Sequence, residues 1–353
     1  MTLEHFAITL GKVLFIFGIN LGFFGPILTW VERKQSAVMQ DRIGANRADI
    51  LGFTVFGLFH PLADAVKMIL KEDFVPAGAN RILHWFAPVI CAVPAILTFA
   101  VIPFGGVYEI GGMKINMVVA DLDVGLLFIF AIASLATYGT VIAGWASNNN
   151  WALLGSLRTG AQMISYEVAM GLTVIGVFMI YGSLRLTDIG AAQENFFRWG
   201  IFLQPLGFFM FLAAAIAENK RAPFDLPEGE SEIVAGYFME YSGMKFGLFY
   251  MAEFLEIVTI AAIVTTLFFG GWHIPFVTTE TLLNAVGAVP TMLIHVGTFF
   301  AKVIFFIWFQ MTIRWTLPRF RYDQLMHLGW KILLPLSLLN ILVTGAVLLI
   351  LDK

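Results

Sequence analysis

Charged side chains make up only 13% of this 353-residue chain, against about 25% in an average soluble domain. So little charge cannot cover the surface of a water-soluble globule of this length, and that class is excluded. The net charge of −3 offers no basic face to a polyanion, so nucleic acid is not an expected partner. Cysteine is nearly absent as well. Cys91 stands alone in an apolar run, which excludes an intrachain disulfide, a Cys-ligated iron–sulfur cluster and a Cys-rich zinc site within this chain. Neither G-x-G-x-x-G nor a P-loop occurs, and the six histidines never fall into H-E-x-x-H, so neither a nucleotide fingerprint nor a metal site is expected. Any electrons used here come from another subunit. The N-terminus places Glu4 before any base and does not read as a cleaved signal.

Hydrophobic residues account for 59% of the chain, in runs whose length carries meaning. A hydrocarbon core of about 30 Å is crossed by about 20 helical residues. Runs at about 6–31, 82–104, 123–146, 161–181, 200–217, 247–271, 287–309 and 330–351 predict an all-α polytopic membrane protein with eight transmembrane helices in a single membrane domain, 1–353. Eight spans put both termini on one side. The loops after odd-numbered spans hold 15 Lys and Arg residues and the opposite side 5. The bias of cationic loops toward the inside then puts the former in the cytoplasm of a bacterial inner membrane (or in the mitochondrial matrix) and both termini in the periplasm.

Between the first two spans lies a segment too polar to cross. From Pro61 to Lys71 it reads as a cytoplasmic-side interfacial helix, with Pro61 suited to the first turn. His60, Asp64, Lys67 and Lys71 form one stripe opposite Leu62, Val66, Ile69 and Leu70, as in any helix resting on lipid head groups. Acids are the informative residues inside the spans. Glu167 lies in the fourth, Glu218 closes the fifth, and Glu253 and Glu256 sit in the sixth. An acid at mid-span costs about 2.5–3.5 kcal/mol on insertion scales and so faces a bundle interior or a water-filled cavity. Three residues apart, Glu253 and Glu256 share a helix face, and if close and dry they titrate as a pair. One such acid is often a hydrogen-bonded structural group; several together fit a proton path. His295, on a mostly apolar span, reads as a packed core histidine.

The densest charge lies between Glu218 and Glu240, where six of the chain's 24 acids fall (Glu218, Asp225, Glu228, Glu230, Glu232 and Glu240) against Lys220 and Arg221. Pro223 and Pro227 bracket a non-helical segment there. Composition alone suits a solvated connector, but the order of residues says more. Glu218-x-x-Arg221-x-Pro223-Phe224-Asp225-Leu226-x-Glu228-x-Glu230-x-Glu232 resembles the signature of the quinone-site membrane subunit of respiratory complex I, called H in bacteria and subunit 1 in mitochondria. Glu32-Arg33 through Gln40-x-Arg42-x-Gly44-x-Asn46 is similar to that family's next signature, except that Ala45 stands where the family usually has Pro. His60-Pro-Leu-Ala-Asp64-Ala-Val-Lys67 resembles its helix beside the quinone chamber. Further similarity at 144–158 and 317–324 extends the resemblance along nearly the whole chain.

The resemblance implies a division of labour. Arg33, Gln40, Arg42, Asp64, Lys67, Arg221 and Phe224 would line a quinone chamber or its entrance. Glu167, Glu218, Glu228, Glu230, Glu232 and Glu253 would couple protons, with Asp225 and Glu256 as auxiliary members; Glu256 falls where relatives often carry Asn. Quinone is the implied substrate and nothing is held covalently, while NADH, FMN and iron–sulfur clusters belong on other subunits of the NADH:quinone oxidoreductase. The implied partners are the quinone-site peripheral-arm subunits, antiporter-like membrane subunits and lipid. The nearest alternative is the equivalent subunit of a membrane-bound hydrogenase or other-donor dehydrogenase. A stand-alone ion transporter, which would purify alone, lies further off.

Overall fold

A computed structural model describes residues 3–229 and 233–351. Glu230 and Glu232 therefore lie outside the described residues. The chain opens on one long rod of α1 (Leu3–Phe17), a π-helical stretch Gly18–Phe24 and α2 (Gly25–Met39). Next comes α3 (His60–Leu70), with Pro61 in its first turn and no fully buried residue, as befits an interfacial helix. The longer elements that follow are α4 (Arg81–Leu97), α5 (Gly125–Ala146) and α6 (Asn150–Tyr181). Then come α7 (Leu186–Ala192), α8 (Gly200–Leu203), α9 (Pro205–Glu218) and α10 (Gly243–Phe268). The last group is α11 (Thr279–Val286), α12 (Ala288–Thr316), α13 (Tyr322–His327), a π-helical stretch Leu328–Leu333, and α14 (Leu334–Leu351).

Among the described residues, seven helical rods are long and apolar enough to cross a membrane, where the sequence predicts eight spans. The difference lies at the expected fifth span. Pro205 has no N–H to give and disfavours a helical Gln204, which sits at φ −136°, ψ 58°. That break leaves α9 with 14 residues, about 21 Å at 1.5 Å per residue, against a hydrocarbon core of about 30 Å. The described chain is otherwise helical, as expected, apart from one short hairpin. After α4 the chain forms an antiparallel hairpin, β1 (Val107–Ile110) with β2 (Met113–Asn116), Val107 facing Asn116. Gly111 and Gly112 make its turn at φ 62° and 81°, and a two-residue turn with both φ positive matches the twist of the strands it joins.

Helix α10 is the axis of the bundle. Of its most apolar stretch 89% is buried, against 11% for the first rod, which leaves that rod facing outward. Packed around α10 are α4, α12, α9, α3 and α2. Small residues let the helices approach. A Cβ on Gly144 of α5 would meet Ser156 Cβ of α6 at 2.4 Å, and one on Gly139 would meet Cys91 Sγ of α4 at 2.5 Å. Hydrogen bonds sort the connections onto two faces. On one, Asn80 N–H donates to Ala146 O, Phe320 N–H to Pro223 O, and Asn149 Nδ2 to Glu240 Oε1 at 2.7 Å. On the opposite face, Thr279 N–H reaches Glu194 Oε1 at 2.8 Å.

Gly144→Leu places a branched side chain where no Cβ fits, and overpacking of this kind costs about 1–3 kcal/mol. A lowered thermal midpoint of the detergent-purified protein is the expected result, with Gly171→Leu, which meets nothing within 4 Å, as the tolerant control.

Candidate functional site: a buried carboxylate network below a loop-lined cavity

Arg221 is wedged between two carboxylates from distant parts of the chain. Its Nη1 donates to Glu32 Oε2 at 2.8 Å, and Nη2 stands 3.7 Å from Glu253 Oε2, too far for a direct hydrogen bond. The guanidinium lies 4.3 Å above the Phe254 ring, one residue along α10. All three side chains are buried, at most 7% exposed. Burial opposes the charge on Arg221, but Glu32 and Glu253 outweigh it and hold the guanidinium above its usual range. Arg314 of α12 closes on the other oxygen of Glu32. Tyr237 donates its hydroxyl to Glu253 Oε1 at 3.2 Å; burial and the neighbouring Glu253 keep its phenol protonated. Glu228 meets the same Glu253 carboxyl, and burial followed by that repulsion raises its pKa well above normal.

The chain of acids continues along α10. Glu256 lies 4.0 Å from Lys220 Nζ, and the Asn219 amide donates to Glu256 Oε2 at 3.0 Å. Glu256, Asn219 and Glu218 then border a cavity of about 50 Å³ whose remaining walls are apolar, among them Met170, Phe211 and Ile260, except for Thr98 and Thr259. By this measure a water needs about 10–15 Å³, so the space admits a few. Glu218 lies within electrostatic range of Glu167 and of Glu256. The turn that carries Glu218 to Arg221 is held by α6: Gln162 Nε2 donates to Ala217 O and to Phe224 O, both at 2.7 Å.

A second, larger cavity of about 570 Å³ opens on the same face. Arg33, Asp64, Lys67 and Lys71 line one side, and the segment from Ala235 to Gly243 with Phe246 and Tyr250 the other. Asp64 pairs with Arg33 at 2.6 Å and more loosely with Lys67 at 3.5 Å, and as the one acid among three lining bases it leaves the cavity wall net positive. The 3₁₀ turn Gly236–Phe238 separates the two features by one residue: Phe238 faces the cavity while Tyr237 holds Glu253.

Not every sequence candidate joins these groups. Gln40 and Arg42 pair with each other at 2.7 Å at the exposed end of α2 and border neither cavity. Asp225 makes a two-pronged contact with Arg319, at 2.5 and 2.7 Å. Phe224 is packed between Tyr166 and Phe320, stacked on the latter at 5.2 Å, rather than lining the large cavity. Three network members, Tyr237, Arg314 and Gln162, carry no sequence signal as site residues. Each is an ordinary polar residue at a span end or loop until folding brings it to an acid or a carbonyl. Glu32 stood beside Arg33 in a motif, yet the two side chains leave α2 in different directions, one inward and one to the large cavity.

Fold and site together define a polytopic membrane protein with an ionisable interior that begins at a loop-lined cavity on one face. The chain belongs to the NADH dehydrogenase family, whose model matches residues 11–345. Over 338 residues it is similar, at 51% identity, to the second of the NADH-quinone oxidoreductase H subunits of Geobacter sulfurreducens, covering 96% of this chain and 95% of that one. The first H-type subunit of Geobacter metallireducens is 49% identical over 98% of this chain and 97% of its own. Its counterpart in Cytophaga hutchinsonii is 47% identical over 91% of each.

Two outcomes test the network. Arg221→Met leaves Glu32 and Glu253 buried with less compensation, and breaking a buried pair costs about 3–5 kcal/mol; the expected result is low yield and a depressed thermal midpoint, only partly relieved in Arg221→Lys, which restores charge but not the fork. Glu228 shows a pH effect of definite sign. Because the folded chain holds this proton more tightly than the unfolded chain, charging Glu228 costs stability as pH climbs above its ordinary value of 4.5. Glu228→Gln should match the wild-type midpoint at the acid end and exceed it increasingly toward about pH 8; a constant offset would remove the assignment.

Proposed function

We propose that this chain is the quinone-site, proton-coupling membrane subunit of a complex I-type NADH:quinone oxidoreductase in a bacterial inner membrane, with the cavity-bearing loops cytoplasmic and both termini periplasmic. One observation carries the reading: adjacent residues of a single turn, Tyr237 and Phe238, touch the buried carboxylate network and the 570 Å³ cavity respectively. Quinone would enter the cavity past Arg33, Asp64 and Lys67, with Gln40, Arg42, Arg221 and Phe224 shaping its surroundings. Cavities of 300–1,000 Å³ are typical of small-molecule sites. Electrons would arrive from neighbouring peripheral-arm subunits, which hold the flavin and iron–sulfur centres that one cysteine cannot supply. Antiporter-like membrane subunits would receive the coupling at the other end. The relatives are named as H subunits of NADH-quinone oxidoreductase, and their similarity across nearly the whole length supports the same place in the assembly here.

The coupling is electrostatic. Reduction of quinone, or its protonation by Asp64 and its neighbours, changes the charge beside the turn. A unit charge felt at about 4 Å with an effective dielectric near 20 is worth roughly 4 kcal/mol, about three pKa units. Tyr237 is the shortest link by which that change reaches Glu253, and from there Glu228, Glu256 and Glu218, with Glu167 beyond; Glu230 and Glu232 would extend the acidic loop. Asp225, tied to Arg319, would anchor that loop rather than carry protons.

A photoreactive quinone analogue, read out by mass spectrometry, should label within 33–71 or 235–250, with NADH-driven quinone reduction lost in step. Glu218→Gln combined with Glu253→Gln should lower protons translocated per electron while label incorporation stays normal. Labelling elsewhere with full activity sinks the chamber; unchanged pumping in the double variant sinks the carboxylate path.

A further inference from the structure

Four titratable groups from separate elements converge on the face opposite the large cavity. Tyr108 of β1 lies 2.6 Å from Nδ1 of His295 on α12, and its oxygen also accepts Gly106 N–H at 3.2 Å. A hydroxyl with a second acceptor position free supports both arrangements of this bond: Tyr108 donates to Nδ1 when the His295 proton is on Nε2, and accepts from Nδ1–H in the other tautomer. His273, in the connection after α10, places its ring edge-to-face with His295, centroids 5.9 Å apart. Glu194, beyond α7, is fixed by Thr279 N–H and lies within electrostatic range of both rings. The expected packed core histidine is thus buried, at 1% exposure, but is not merely packed.

Two features distinguish this cluster from a structural one. His273 is 4% exposed, and by strict geometry neither of its ring nitrogens nor His295 Nε2 has a hydrogen-bond partner; the Gly190 carbonyl is only a loose neighbour of His273. Leaving such atoms buried and unpaired carries a desolvation cost that a purely structural histidine normally avoids. An open cavity of about 360 Å³ also connects the cluster to solvent, walled by Tyr108, Glu194 and His273, with Asp121, Asp188 and Arg185 at its rim. Arg185 is engaged with Asp121 and Asp123, so the rim adds no free positive charge.

We propose that Tyr108, His295, His273 and Glu194 form the site from which this subunit releases protons to the aqueous phase on the side of its termini. The inference rests on the proton-coupling reading above. Helix α10 carries Glu253 and Glu256 and ends beside His273, about 18 Å further along its axis at 1.5 Å per residue. Thr259, on that route and on the wall of the inner cavity, has a buried hydroxyl without a partner. A proton received by His295 leaves from its other ring nitrogen toward His273, across a gap that one water or a small ring rotation closes. From His273 it passes to the ionised Glu194 or to cavity water. The Tyr108 hydroxyl donates to or accepts from Nδ1 and follows the tautomer, and each step moves one proton only.

Burial, more than any neighbouring charge, makes this a site of release rather than storage. Lys302 Nζ donates to the carbonyls of Phe269, Gly271 and His273 at 2.7, 3.0 and 2.6 Å, and lies 4.4 Å over the Trp199 ring. Three acceptors take three N–H donors, which an ammonium has and a neutral amine has not. Burial and then His295 push His273 down to about 4 against the pull of Glu194, with Lys302 adding a smaller push in the same direction as burial, so an arriving proton is passed on. The groups facing the pair are therefore Tyr108, Glu194 and Lys302, with Asp121, Asp188 and Arg185 beyond.

The test uses the whole complex in proteoliposomes of known orientation. His273→Ala should slow NADH-driven proton appearance on the termini side severalfold, up to the roughly 10²-fold typical of a lost proton-transfer group, and Tyr108→Phe should slow it without removing a ring. Imidazole added to that compartment should restore the His273→Ala rate. Pyrrole, the same size but not a base, should not. Normal proton appearance in both variants overturns the proposal, as does equal rescue by pyrrole, which would mark a packing role. Glu218→Gln with Glu253→Gln is run alongside. If that variant is impaired while His273→Ala is not, the release site is wrong and the coupling reading stands; if neither is impaired, the coupling reading fails.

Discussion

The placement of one guanidinium between Glu32 and Glu253 is the constraint on which the rest of this structure turns. Each carboxylate alone would be an expensive charge in a low-dielectric bundle, and Arg221 is what makes both tolerable. Arg221 reaches them only because Pro223 and Pro227 keep its loop out of helix and because Gln162 holds both ends of the turn. Glu253 in turn fixes α10 in rotation, since its partners, Arg221, Tyr237 and Glu228, all lie on the loop side of that helix. A bundle packed mainly by small residues and aromatics could slide or turn by a helical step without much change in contact. A buried ion pair cannot.

The arrangement also places the acids where neighbouring charge matters. Lys220 is buried, which opposes its charge, yet Glu256 and then Glu253 keep it protonated. Positive and negative groups therefore alternate from Glu32 through Arg221 and Glu253 to Lys220 and Glu256. Neutralising any acid changes the field on the next. With water largely excluded there is little dielectric screening to blunt such a change. Among the described residues, this network and the large cavity share consecutive positions at Glu32–Arg33 of α2 and in the turn Gly236–Phe238. Gly236 is required there: a Cβ at its φ of 61° would sit 1.7 Å from Pro227 O. A Cβ on Gly155 of α6 would in turn meet Gly236 Cα at 2.7 Å, so two glycines in contact set how deep the turn can lie.

Helix α10 joins the two faces. At one end its acids meet the loop; at the other Lys302 gathers the carbonyls of Phe269 and Gly271, just past the last turn, where the backbone dipole favours a cation. Each end is thus anchored by charge, and the apolar middle is buried almost entirely within protein rather than lipid. A helix so placed can bear ionisable groups that a lipid-facing helix could not.

Much of this was legible in the residues. The apolar runs, the amphipathic stripe of 60–71, the cationic loop bias and the acids inside spans are local patterns, and local patterns survive without tertiary information because helix period and membrane thickness set them. The Gly111-Gly112 hairpin was equally local but was masked by the long apolar runs on either side of it. Gln204-Pro205 likewise interrupts a run whose mean hydropathy gives no warning of it. Partners were not legible. Glu32 and Arg221 stand 189 residues apart, Tyr108 and His295 187, and nothing in spacing announces either contact. Apolar runs and intramembrane acids are enough to specify a membrane-spanning helical chain with carboxylates it could not leave in lipid. Which cation answers which acid, which side of α2 faces inward and which histidines meet follow from folding, because those depend on how helices rotate against one another once their backbones have closed.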